Sequence, residues 1–198
     1  MRSIVIATHN PGKIIEIKEL LKNYNFIIYS SNDFKIKEPI ENGNTFTENS
    51  IIKASNTAKK SKLPSIADDS GLCIPILGNE PGIYSARWAG KSKNFNIAAN
   101  KIEKKMKCIC SLSKKDRRAF FCCALSLVLP NGFIKSFEGR VYGHLQFPPL
   151  GENGFGYDPI FIPDGYRKTF GQMKYKFKER ISHRKKAFTK LENYLKNI

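Results

Sequence analysis

Residues 119–129 (AFFCCALSLVL) are apolar at odd and even positions alike, so a strand there presents apolar side chains on both faces. It has to be covered on both sides, which excludes a sheet wetted along one face. Pro130-Asn131-Gly132 follows with hairpin turn chemistry, and residues 133–142 read as the partner strand. Around this hairpin, strands and helices alternate. Residues 3–7 form a β-branched strand, and residues 12–21 a helix with Ile14, Ile17, Leu20 and Leu21 at helical spacing. Residues 26–29 give a second strand. The next helix opens at Thr45-Phe46-Thr47-Glu48, which has capping-box spacing, and runs to about Lys60. Pro64 breaks the chain before Ser65-Ile66-Ala67, a short strand expected to end at Asp68-Asp69-Ser70. Residues 95–106 read as a helix, and a loop over 148–156 leads to a shorter strand near 159–162. A last helix starts near Ser182, with Ala187, Phe188, Leu191, Tyr194 and Leu195 on one face. The pattern predicts an α/β chain with a mixed sheet.

Length and composition bound the rest. A chain of 198 residues with 41% hydrophobic content is expected to form one compact domain, 1–198, with room for two lobes. Its 34 Lys and Arg against 17 Asp and Glu leave a net charge of +17, which attracts polyanions. The lysines are dispersed, as at Lys59, Lys60, Lys62, Lys101, Lys104, Lys105, Lys107, Lys114 and Lys115. That pattern suits a solvated surface better than a nucleic-acid patch, so no nucleic-acid partner is expected. The cysteines are Cys73, Cys108, Cys110, Cys122 and Cys123, an odd count without Cys-x-x-Cys pairs. The opening MRSIVIATHN meets polar residues too soon for a signal-peptide core, and no stretch is long enough to span a bilayer. A reducing cytoplasm is the expected setting.

Four places could carry chemistry. Thr8-His9-Asn10-Pro11-Gly12-Lys13 joins a strand to a helix N-terminus, where free N–H groups, the helix dipole and Lys13 would attract an anion. It lacks P-loop spacing. Asp68-Asp69-Ser70 offers oxygen ligands for Mg2+, with only one of the two carboxylates expected to face inward. Gly154-Phe155-Gly156-Tyr157-Asp158-Pro159 combines close backbone approach with flat rings, and Ser182-His183-Arg184 adds donors for carbonyl or phosphate oxygens. Taken singly, each is also ordinary turn or surface chemistry.

Together, in one order along nearly the whole chain, they resemble the inosine triphosphate pyrophosphatase family. The matching segments are ATHNPGK, ENGNTFTENSIIKA, ADDSGL, PGIYSARWAG, GFGYDPIF and ISHR. Asn79 stands where a glycine is usual, Leu150 where a basic residue is common, and Gln172 where an acidic one is frequent. The resemblance implies an elongated α/β fold with two lobes around a central nucleotide-binding cleft, assembled as a homodimer. It implies Mg2+-dependent attack of water on the α-phosphorus of ITP, dITP or XTP, releasing pyrophosphate. Asp69 would bind Mg2+ or deprotonate the water, with Glu41 as second ligand and Asp68 as a supporting carboxylate. Lys13 and Lys53 would stabilise charge, and Thr8, His9 and Asn10 would shape the phosphate loop. Ser70, Phe155, Gly156, Tyr157, Asp158, Lys178, His183 and Arg184 would complete the nucleotide site. The competing reading is a basic nucleic-acid-binding protein without turnover.

Overall fold

The computed structural model describes residues 2–109 and 117–196, so Cys110, Lys114, Lys115 and the side chain of Leu195 lie outside it. The sheet is mixed, as the hydrophobic pattern predicts. Its strands are β1 (Arg2–Ile6), β2 (Phe26–Ser30), β3 (Ser65–Ile74), β4 (Glu80–Pro81), β5 (Arg118–Val128), β6 (Ile134–Leu145) and β7 (Phe161–Pro163). They lie in the order β2-β1-β3-β5-β6-β7, with β4 beside β3. β1 runs parallel to β2 and β3, whereas β4 and β7 pair antiparallel with β3 and β6. The helices are α1 (Pro11–Leu21), α2 (Phe46–Ser61), α3 (Ser85–Trp88), α4 (Phe95–Ile109), α5 (Tyr175–Ile181) and α6 (His183–Lys196).

The strand expected to stop at Ala67 instead continues as β3 through Asp68, Asp69, Ser70 and Gly71 to Ile74. Polar residues and a glycine interrupt the β signal there, but buried Leu72, Cys73 and Ile74 extend the ladder. The carboxylates therefore sit within a strand rather than at its end. β6 also runs on to Leu145, and residues 158–160 form a 3-10 turn that delays β7 to Phe161.

The chain forms two compact units from interleaved segments. Unit 1 comprises residues 1–69, 123–139 and 184–198, and unit 2 comprises 70–122 and 140–183. In unit 1, Ile17, Leu20 and Leu21 of α1 pack with Ile6, Leu125 and Phe188. In unit 2, Ala98, Ile102 and Met106 of α4 pack with Leu72, Phe121 and Phe161. Both faces of β5 are buried over most of its length, as its uninterrupted apolar run demands.

Candidate functional site

Unit 1 gathers the segment 8–13 and the acidic pair. β1 is followed by buried Ala7 and Thr8, and Thr8 Oγ1 accepts from the Asn10 backbone N–H at 3.2 Å. His9 Nε2 lies 2.9 Å from the Ile36 carbonyl oxygen, which can only accept, so Nε2 carries the proton. Asn10 caps α1: its Oδ1 accepts from Gly12 and Lys13 N–H at 3.0 and 3.3 Å. Pro11 has no N–H, and that of Ile14 bonds the Asn10 carbonyl. The expected row of free N–H donors is thus taken up by the cap. What this helix start still offers an anion is its dipole and the Lys13 ammonium.

Neighbouring residues on a strand point to opposite faces, and Asp68 and Asp69 do so with very different partners. The expectation that only one would turn inward fails, since they are 0% and 6% exposed. Asp68 Oδ2 accepts from Arg184 Nη2 at 2.7 Å and Nε at 3.3 Å, and Lys13 Nζ lies 3.2 Å away. Burial opposes its charge, but Arg184, Lys13 and Lys53 hold its carboxyl well below the usual range. Arg184 also pairs with Glu16, a buried residue one turn beyond Lys13. The guanidinium expected at the nucleotide is 1% exposed and is engaged by these carboxylates.

Asp69 faces α2. Lys53 Nζ lies 3.5 Å from Asp69 Oδ1 and 2.5 Å from Glu41 Oε1, so two carboxylates converge on one ammonium. Burial would lower the Lys53 pKa, but Asp69, Asp68 and Glu41 raise it. Asp69 is pushed above the ordinary carboxylate value, first by burial and then by Glu41 and Asp68, which together outweigh Lys53 and Lys13. A carboxylate so placed suits a proton or a cation. Among the described residues, no three His, Cys, Asp or Glu side chains form a cage. Glu41 and Asp69 offer two hard oxygen donors of the kind Mg2+ prefers.

Unit 2 holds the other group. Asp158 Oδ2 accepts from the Phe155 N–H at 2.8 Å and from Lys178 Nζ at 2.7 Å. Lys178 is buried and stands 4.8 Å from the Phe155 ring centroid. Gly154 has φ +78°, and a Cβ there would stand 2.1 Å from Asp158 Oδ2, so the loop requires glycine. Gly156 also has positive φ and is half-buried, like Phe155 and Ser70. The Tyr157 hydroxyl donates to the Ser85 carbonyl at 2.9 Å, and burial pushes the phenol above its ordinary value. His183 is buried and stacks on Phe121, with ring centroids 4.8 Å apart.

Two of the departures have local explanations. Asn79 has φ +68°, a left-handed conformation in which asparagine is the common substitute for glycine. Gln172 Oε1 accepts from the Thr169 N–H at 3.1 Å, supplying the acceptor an acidic side chain would supply. Nothing in the structure explains Leu150. Sequence reading missed Glu16, Asn49 and Ser85; the last two lie within quoted motifs, but only their tertiary partners single them out.

Comparison with known proteins bears on the family and the fold. The profile of the Ham1 family matches residues 4–194. The dITP/XTP pyrophosphatase of Zymomonas mobilis is 44% identical over 188 residues, covering 95% of this chain and 89% of the relative. That of Caulobacter vibrioides is 46% identical over 189 residues, covering 96% and 95%. A HAM1 protein from Coxiella burnetii superposes with a TM-score of 0.90 at 35% identity, over 100% of both chains. The Ham1 protein of Staphylococcus aureus does so with 0.86 at 38%, over 99% of both.

Proposed function

The chain belongs to the Ham1 family, and on that premise we propose that it hydrolyses ITP, dITP and XTP to the monophosphate and pyrophosphate. The relatives' activity supports the substrate class. The observation that carries the chemistry is the convergence of Glu41 and Asp69 on Lys53, in the unit that also holds Lys13 at the start of α1. Water forms a bond to the α-phosphorus, the bond from that phosphorus to the pyrophosphate oxygen breaks, and the water's proton passes to the Asp69 carboxylate. Glu41 and Asp69 would hold Mg2+, and the chemistry it would supply there is neutralisation of phosphate charge. Lys13 and Lys53 stabilise the charge that shifts to the leaving group, a task of positioning and electrostatics. Thr8, His9 and Asn10 hold the loop that presents Lys13.

The loop around Phe155, Gly156, Tyr157 and Asp158 receives the base, with Ser70, Lys178 and His183 completing the nucleotide contacts and Arg184 fixing Asp68. Hypoxanthine and xanthine present a 6-oxo acceptor. Adenine's amino group would leave a buried donor unpaired, at about 1–3 kcal/mol for each lost hydrogen bond. Clearing such triphosphates would keep them out of DNA and RNA. A homodimer in the cytoplasm completes the reading. Among the described residues no helix is long and apolar enough to cross a membrane.

The test is a panel of ITP, XTP, GTP, ATP, UTP and their deoxy forms, assayed for pyrophosphate release with and without Mg2+ in 18O-water. Label entering the monophosphate marks attack at the α-phosphorus. Asp69→Asn and Lys13→Ala are each expected to lower kcat by about 100-fold or more. Folded protein that turns over none of the panel with Mg2+ present overturns the proposal, and orthophosphate as product overturns the cleavage position.

A further inference from the structure

Asn49 lies near the start of α2, 1% exposed, on a buried face that it shares with Ser50, Lys53, Ala54, Thr57 and Ala58. Both ends of its carboxamide are engaged. The Gly43 N–H donates to Oδ1 at 2.9 Å, and Nδ2 donates to Asp69 Oδ2 at 3.2 Å. The first bond determines the second: a backbone N–H needs an acceptor, so the amide oxygen faces Gly43 and the amino group faces Asp69. Asp69 Oδ2 then accepts, which restrains the rotation of the carboxylate. Oδ1 stays toward the Lys53 ammonium, 3.5 Å away.

Gly43 follows Glu41 by two residues, so one side chain ties the segment bearing Glu41 to the strand bearing Asp69. These are the carboxylates that meet on Lys53. The approach depends on glycine, because a Cβ at residue 43 would stand 2.6 Å from Glu48 Cβ and 2.8 Å from Asn49 Oδ1. Aspartate at position 49 would set carboxylate against carboxylate, and alanine would leave both partners without their bond. We propose that Asn49 is a positioning residue that sets the spacing of Glu41 and Asp69 so that both hold one divalent cation. This rests on the reading of those two side chains as its ligands.

Two measurements test it: Mg2+ dependence of dITP hydrolysis, and Mg2+ binding by calorimetry without nucleotide. Removing a side chain that orients metal ligands weakens the metal by about 10- to 100-fold. Asn49→Ala is therefore expected to raise the Mg2+ constant by about tenfold or more in both assays, with the nucleotide KM at saturating Mg2+ little changed. Gly43→Ala opens the same contact from the loop side and is expected to reproduce the shift, so it decides the matter if Asn49→Ala fails to fold. A folded variant with an unchanged Mg2+ constant overturns the proposal. So does a rate lowered equally at every Mg2+ concentration together with a lower melting temperature, the mark of a purely structural role. Wild-type protein that binds no Mg2+ fails the ligand reading and takes the positioning role with it. Wild-type binding that both variants match fails the positioning role alone.

Discussion

Asp68 and Asp69 are joined by one peptide bond, yet their surroundings pull their charges in opposite directions. Arg184 and Lys13 hold Asp68 ionised, while burial and neighbouring carboxylates push Asp69 toward a proton or a cation. The sequence shows the pair and strand alternation separates their faces, but the partners that distinguish them are distant along the chain. Arg184 lies 116 residues from Asp68, which is why its engagement there was not legible. An exposed pair gives a simpler case. Arg118 binds Asp164 in a fork, at 2.6 and 2.9 Å, and these bonds hold the Asp164 carboxyl below its ordinary value of 3.8. Because the folded value is depressed, the stabilisation is complete above the unfolded value and fades as pH falls through the folded one. Exposure limits it to under about 1 kcal/mol. Arg118→Gln is expected to raise the Asp164 value toward 3.8 in an NMR titration and to reduce stability slightly at neutral pH but not at low pH.

At the scale of elements, α2 is the informative case. Its buried face is Asn49, Ser50, Lys53, Ala54, Thr57 and Ala58, so hydrophobic periodicity says little about which side turns inward. What the sequence does show is the start of the helix. Thr45 Oγ1 accepts from the Glu48 N–H at 3.1 Å, as the capping spacing predicts. Glu48, however, reaches back to the N–H of Asn44, one residue before the cap. Further along, Ser50, Ser126 and Ser136 form a chain of hydroxyl contacts at 2.6 and 2.7 Å, joining α2 to β5 and β6. Replacing the cap tests the local contribution. Thr45→Ala is expected to cost about 1 kcal/mol, read as a lower denaturant midpoint with unchanged slope. β3 shows the opposite limit: propensity ended it at the carboxylates, and only its pairing partners carry it further.

For the whole molecule, the alternation of elements and the order of the motifs were legible, because both are properties of the chain. Two lobes were expected, but which segments build each unit was not legible, because that arises from contacts between distant segments. Arg184 shows how far apart those segments lie, since its partners Asp68 and Glu16 precede it by 116 and 168 residues. Removing one member of a buried ion cluster strands the others, so Arg184→Met is expected to cost about 3–5 kcal/mol in equilibrium unfolding. The same separation bears on synthesis. Until residue 184 has left the ribosome, the carboxylate at 68 has no guanidinium to offset its burial, and the strand that carries Asp69 cannot settle into its final surroundings. Maturation of the acidic pair is thereby tied to the synthesis of residue 184, and a product cut short before it would lack the guanidinium that offsets the burial of Asp68.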